Sequence, residues 1–208
     1  MIDNLKTITS DRKVRPVVIP SGQRARGRFP SLKAGNEALT FESLHEQQVL
    51  QVLEVASAVT QIKARPMVLR LGGKTSFHYT PDFIIRHQAH RNEVVCEAKG
   101  DFFLSSPGQR QRLQNIAGGL RDAGVPFFVV LQSDFCVELQ QMTGMLLQRR
   151  PWPLHGTRGS MTKTHAWQKR CYEWQRAEEV CDALLSRLMC RSIPQTISAA
   201  SQGEGRAK

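Results

Sequence analysis

Apolar positions along this chain change period several times, and each change marks an element. From 42 to 55, Leu44, Val49, Leu50, Val52 and Leu53 recur at broadly helical spacing, with His45, Glu46, Gln47, Gln48 and Gln51 between them. That pattern predicts an amphipathic helix. A branched stretch runs from Val59 through Ile62 to Leu71, broken at Pro66, and reads as strand. Gly72-Gly73 is a hairpin signal, because both positions tolerate positive φ, and 74–79 returns as a strand. Pro81 permits a bend before Phe83-Ile84-Ile85. The run Glu93-Val94-Val95-Cys96-Glu97-Ala98-Lys99 is another strand, ending at Gly100. A helix is predicted from about 107 to 122, with Leu113, Ile116, Ala117 and Leu120 on one side, Pro107 in its first turn and Gly124 at its end. The continuous apolar run 125–132 predicts a strand buried on both faces. A strand–helix–strand crossover implies one parallel pair in an otherwise antiparallel sheet, so the predicted class is α/β with a mixed sheet.

Candidate chemistry lies in two short phrases, Pro81-Asp82-Phe83 and Glu97-Ala98-Lys99-Gly100. Side chains two apart on a strand share a face. Glu97 and Lys99 therefore point the same way as Val95, while Val94, Cys96 and Ala98 point toward a core. If the strand carrying Asp82 pairs beside this one, a single sheet edge presents two carboxylates and an ammonium. Two hard oxygen donors can hold Mg²⁺ or Mn²⁺ with its waters and a phosphate oxygen. The adjacent lysine can orient or help deprotonate a water, which is the equipment for metal-assisted phosphodiester hydrolysis. Each phrase alone is common, since Asp after Pro is usually a turn residue and Glu-x-Lys a solvated ion pair. The order of the elements around them gives them weight.

That order, αβββαβ, together with an acid on the first helix, Pro-Asp on one strand and Glu-x-Lys on the next, is similar to the PD-(D/E)xK nuclease superfamily. More narrowly, the chain resembles TnsA, the endonuclease subunit of TnsABC-type transposition systems. The narrower resemblance rests on Gly27-Arg28-Phe29-Pro30-Ser31-Leu32-Lys33, Phe41-Glu42-Ser43-Leu44-His45-Glu46, Tyr79-Thr80-Pro81-Asp82-Phe83 and Glu97-Ala98-Lys99-Gly100, and it covers roughly 24–135. It departs from the family where Arg65 precedes Pro66, a position at which Gln is common, and where only a short tail stands in place of a full C-terminal domain. The resemblance implies a restriction-endonuclease-like core with a C-terminal helical tail. It assigns the helix acid to Glu46, with Glu42 one turn earlier as runner-up. It makes Asp82, Glu97 and the Ala98 carbonyl metal ligands together with Glu46, and gives Lys99 the nucleophilic water and the scissile phosphate. It implies cleavage at the 5′ ends of a transposon, beside a TnsB-like transposase and a TnsC-like AAA+ ATPase regulator. Other readings of the same core are a free-standing restriction, repair or phage-defence nuclease and a catalytically idle DNA-binding adaptor. Gln109 and Gln111 are further residues able to touch the site.

Net charge sharpens the partner class. At +11 over 208 residues, the chain is expected to meet a polyanion, and double-stranded DNA attracts such a charge without regard to sequence. Lys13, Arg15, Arg24, Arg26, Arg28 and Lys33 crowd the N-terminal stretch, and Arg149, Arg150, Arg158, Lys163, Lys169 and Arg170 crowd the approach to the C-terminal helix. Arg24, Arg26, Arg28, Lys33, Arg149 and Arg150 are the candidate phosphate contacts. The expected organisation is a basic arm over 1–35, a nuclease domain over 36–148, and a basic linker, helix and disordered end over 149–208. One helix is expected over 164–188, and disorder from 198 onward, where Gly, Ser and Ala dominate.

The five cysteines contain no C-x-x-C pair, with Cys96 and Cys136 expected in the core and Cys171, Cys181 and Cys190 on the last helix at spacings that make no zinc knuckle. His87 and His90 are expected at the surface. No long apolar segment suggests a membrane span, and the polar stretch 1–10 lacks a signal-peptide core, so a reducing cytoplasm is the expected setting.

Overall fold

The computed structural model describes residues 4–14, 25–35, 37–73, 76–151 and 158–203. In chain order its elements are α1 (Asn4–Ile8), β1 (Gly27–Pro30), β2 (Ala38–Phe41), α2 (Leu44–Val55), β3 (Val59–Ala64), β4 (Leu69–Leu71), β5 (Phe77–Tyr79), β6 (Phe83–His87), β7 (Glu93–Lys99), a 3-10 turn (Asp101–Leu104), α3 (Pro107–Asp122), β8 (Phe127–Leu131), a second 3-10 turn (Gln132–Asp134), α4 (Val137–Arg149), α5 (Arg158–Arg170), α6 (Tyr172–Cys190) and α7 (Ile193–Gly203).

Branched and aromatic runs build a four-stranded sheet in the order β3-β6-β7-β8. The first two pairings are antiparallel, and β7 runs parallel to β8 across the α3 crossover, so the sheet is mixed as the element order requires. Two short antiparallel ribbons, β1–β2 and β4–β5, stand beside it. Alternation along β7 sends Val94, Cys96 and Ala98 into a large core with α2, α4 and α6. Val95 faces the opposite side, where Ile84, Leu69, Leu71, Ile116 and Leu120 cover it. Both faces of the sheet are therefore buried, and β7 has polar side chains only toward its ends. Gly119 lets α3 lie close on β4: an added Cβ would stand 2.8 Å from the Leu71 Cβ.

The expected α3 is found with the predicted bounds, whereas α2 starts two residues after 42 because Ser43 caps it. Other boundaries moved. Residues 27–30 are not part of a loose arm: they form β1, and Phe29 packs into the main core. The single helix expected over 164–188 is two, because Cys171 adopts extended backbone and caps α6. Trp167 and Trp174 meet edge to face across that break at 5.7 Å. Residues 198–203, expected to be disordered, continue α7, whose Ala200 packs against Leu104, Leu113 and Leu131. Cys136 is exposed rather than in the core, and His87 is buried rather than at the surface, with its ring against His90. Among the described residues, no helix is long and apolar enough to cross a membrane.

Two expected phosphate contacts turn inward instead. Lys33 donates from its ammonium to the carbonyls of Leu53 (2.8 Å) and Ala56, closing the C-terminal end of α2. Burial pulls its pKa down to about 8. Arg150 is fully enclosed and donates to Glu54 at 2.6 Å. Glu54 also accepts the Ser31 hydroxyl and the Leu32 N–H, so one buried carboxylate ties α2 to the end of β1 and to the chain after α4.

Candidate active site

The site forms at one end of the β6–β7 pair, where register decides which residues meet. Phe83 pairs with Cys96, so the next positions, Asp82 and Glu97, stand opposite one another. The Ala98 N–H donates to Asp82 Oδ2 at 3.0 Å, locking this juxtaposition. Lys99 shares the face of Glu97 and reaches its Oε1 at 2.5 Å and Asp82 Oδ2 at 3.8 Å. From β5, the Tyr79 hydroxyl donates to the other Glu97 oxygen at 2.6 Å. The structure thus brings Asp82, Glu97, Ala98 and Lys99 together.

Glu46 arrives from the start of α2. Its Oε2 accepts the Glu42 N–H at 2.8 Å, and its own N–H donates to the capping Ser43 hydroxyl at 3.1 Å. This is a variant of the capping box, with the acid reaching one residue beyond the cap. Local helix chemistry therefore suffices to place Glu46, and the placement also turns it toward the sheet end. Between helix and sheet lies Arg65, just past β3. Its Nη1 donates to Glu42 at 2.7 Å and its Nη2 to Glu46 at 2.9 Å, with Asp82 Oδ1 at 3.6 Å from Nη2. Arg65 holds this position with φ at 45°, a left-handed conformation unusual for a side-chain-bearing residue and doubly so before a proline. Its N–H donates to the Asp82 carbonyl at 3.0 Å, which pays part of that strain.

Electrostatics single out Asp82. Burial first, and then the neighbouring Glu97, push its pKa up to about 8, despite the opposing pull of Lys99. Burial would lower Lys99 and Arg65, but the carboxylates outweigh it and raise both. Burial also drives the Tyr79 phenol well above its ordinary range, with Glu97 adding to it. Burial lowers His45, whose Nε2 lies 3.0 Å from the Val130 carbonyl at the back of the site.

These groups line a cavity of about 620 Å³. Gln109 and Arg112 from α3 also line it, whereas Gln111 bonds Asn115 on the outer side. Ala25 borders the cavity, so the stretch leading to half-buried Arg26 and exposed Arg28 begins at its edge. Arg149 is exposed, and Arg24 lies outside the described residues. Sequence reasoning did not assign site roles to Arg65, Tyr79 or Arg112. Arg65 carried a signal in its place before Pro66, where the resembled family departs. Tyr79 and Arg112 had none beyond their neighbourhood.

No group of three or more His, Cys, Asp or Glu side chains with metal-holding geometry is found among the described residues. A divalent ion would instead take two carboxylates, Asp82 and Glu97, and the Ala98 carbonyl. That donor set fits Mg²⁺, which binds hard oxygens and keeps several waters. The raised pKa of Asp82 marks a buried negative charge that the neighbouring cations leave undercompensated, which a divalent ion would offset. No protein-family profile matches the chain, and no curated protein sequence matches it significantly.

Proposed function

We propose that the protein is a Mg²⁺-dependent DNA endonuclease, acting at the 5′ ends of a transposon beside a transposase and an AAA+ ATPase partner. The observation that carries the hydrolase reading is the meeting of Asp82 and Glu97 across the β6–β7 register, with Lys99 reaching both. Asp82, Glu97 and the Ala98 carbonyl would hold the metal, which supplies a Lewis acid for the phosphate oxygen and lowers the pKa of water. Lys99 holds its proton in this carboxylate pair, so it acts as a positive charge facing the scissile phosphate and orients the attacking water rather than serving as a free base. Tyr79 fixes Glu97 by its hydroxyl. Arg112 at the cavity wall, and Arg26, Arg28 and Arg149 outside it, would meet flanking phosphates, which position a duplex without specifying its sequence. The transposition role rests on the resemblance carried by the Phe-Pro-Ser-x-Lys and Phe-Glu-Ser-x-x-Glu strings.

The test is nicking of supercoiled plasmid in Mg²⁺ or Mn²⁺, with and without a co-expressed TnsB-like transposase. Wild type should cut, and Asp82→Ala should not, while keeping its circular dichroism spectrum. Cleavage by Asp82→Ala at the wild-type rate would refute the site. Cleavage that needs no transposase and ignores transposon ends would favour a free-standing nuclease.

A further inference from the structure

Arg65 is a charged residue of this cavity to which the hydrolase reading gives no role. Four carboxylates, Glu42, Glu46, Asp82 and Glu97, line the space together with the Lys99 ammonium and two guanidinium groups, Arg65 and, on the α3 wall, Arg112. They divide unequally. Arg65 takes Glu42 and Glu46 through separate nitrogens at 2.7 and 2.9 Å, while Lys99 takes Glu97 at 2.5 Å. Asp82 lies between, 3.6 Å from one cation and 3.8 Å from the other. The α2 end of the cavity, with Glu46 in the first turn of α2 and Glu42 just before its Ser43 cap, has the donors for a divalent ion of its own, and the guanidinium occupies that place. The fork spans both acids in a way a lysine ammonium would not. Arg65 reaches there only by accepting left-handed backbone before a proline, so the placement is held against a local conformational preference.

We infer that Arg65 is a built-in cation that fills the Glu42–Glu46 end and restricts the site to one divalent ion, held by Asp82 and Glu97, with Glu46 kept off the metal. Arg65 is a positioning residue: it holds Glu42 and Glu46 and touches Asp82 only at long range.

This inference rests on the metal-dependent nuclease reading, and Mn²⁺ binding separates the two. Free Mn²⁺ is counted by electron paramagnetic resonance during titration of the full chain, with circular dichroism to confirm folding. Wild type should bind one Mn²⁺, Arg65→Lys one, and Arg65→Gln two, because removing the guanidinium opens the α2 end. In Glu46→Gln the single ion should bind within about threefold of wild type, since a non-ligand carboxylate contributes little to a hard-oxygen site. Two ions in wild type would overturn the inference and leave the nuclease reading standing. One ion in folded Arg65→Gln, or a loss of tenfold or more (an order-of-magnitude threshold) in Glu46→Gln, would overturn it equally. No Mn²⁺ bound by wild type would overturn the metal reading and the inference with it. The wild-type count and Glu46→Gln decide the matter even if Arg65→Gln fails to fold.

Discussion

Arg149 and Arg150 are neighbours in sequence that the structure separates, one exposed and one buried, and replacing Arg150 is the sharpest test of that difference. Arg150 and Glu54 form a pair with no exposed side-chain surface, at 2.6 Å. In Arg150→Met the Glu54 carboxylate keeps the Ser31 hydroxyl and the Leu32 N–H but loses its hydrogen-bonded countercharge while still buried, with Lys33 the cation left nearby. Breaking a buried pair on one side costs about 3–5 kcal/mol, because an uncompensated charge is left behind. Against a typical stability of about 5–15 kcal/mol that is a large fraction. With a urea slope of roughly 2 kcal/mol/M, the unfolding midpoint should fall by about 1.5–2.5 M. Trp174, beside Arg150, offers a fluorescence readout. The double variant Glu54→Leu/Arg150→Met should recover only part of the loss: neither charge of the pair then remains buried alone, but the Ser31 hydroxyl and the Leu32 N–H lose their acceptor. Folded Arg150→Met should bind duplex DNA as wild type does, whereas Arg149→Gln should weaken binding and leave the midpoint unchanged. A midpoint shift below about 0.3 M in Arg150→Met would refute the buried-pair argument. A loss of DNA affinity without a loss of stability would return Arg150 to the phosphate-binding surface.

Three further outcomes are expected. Asp82 is raised from 3.8 to about 8, so the folded state holds its proton more tightly than the unfolded chain; in EDTA, its contribution to stability should be full below about pH 4 and be lost as pH rises to about 8. Asp82→Asn should remove that slope and exceed wild type in metal-free stability at pH 8, and parallel urea-midpoint profiles for the two proteins would contradict it. Replacing Arg26 and Arg28 with Gln should weaken binding to all duplexes alike and lower the log–log salt slope by about 0.9 per lost phosphate contact, read by fluorescence anisotropy at several salt concentrations; identical slopes would take this stretch off the DNA. In plasmid nicking, Glu46→Gln should cut far less than Glu42→Gln, because Glu46 both caps α2 and holds Arg65 toward Asp82; the reverse ranking would transfer the role to Glu42.

Much of the core was legible because its signals are local. Continuous apolar runs marked β6 and β8, helical spacing marked α2 and α3, and the crossover rule demanded the parallel β7–β8 pair. Asp82, Glu97 and Lys99 were legible for the same reason: alternation along a strand fixes which side chains share a face, and one strand pairing suffices to join the two phrases. What the sequence could not determine were choices settled between distant segments. Lys33 and Arg150 read as surface charge until α2 placed the Leu53 and Ala56 carbonyls and the Glu54 carboxylate beside them, and burial turned phosphate candidates into internal ties. The break at Cys171 and the docking of 198–203 depend on neighbours such as Trp167 and Leu131 that no local pattern announces. Arg65 needed tertiary structure most of all. A residue at positive φ before a proline runs against its own conformational preference, and the carboxylates of Glu42, Glu46 and Asp82, with the Asp82 carbonyl, give the chain a reason to hold it there.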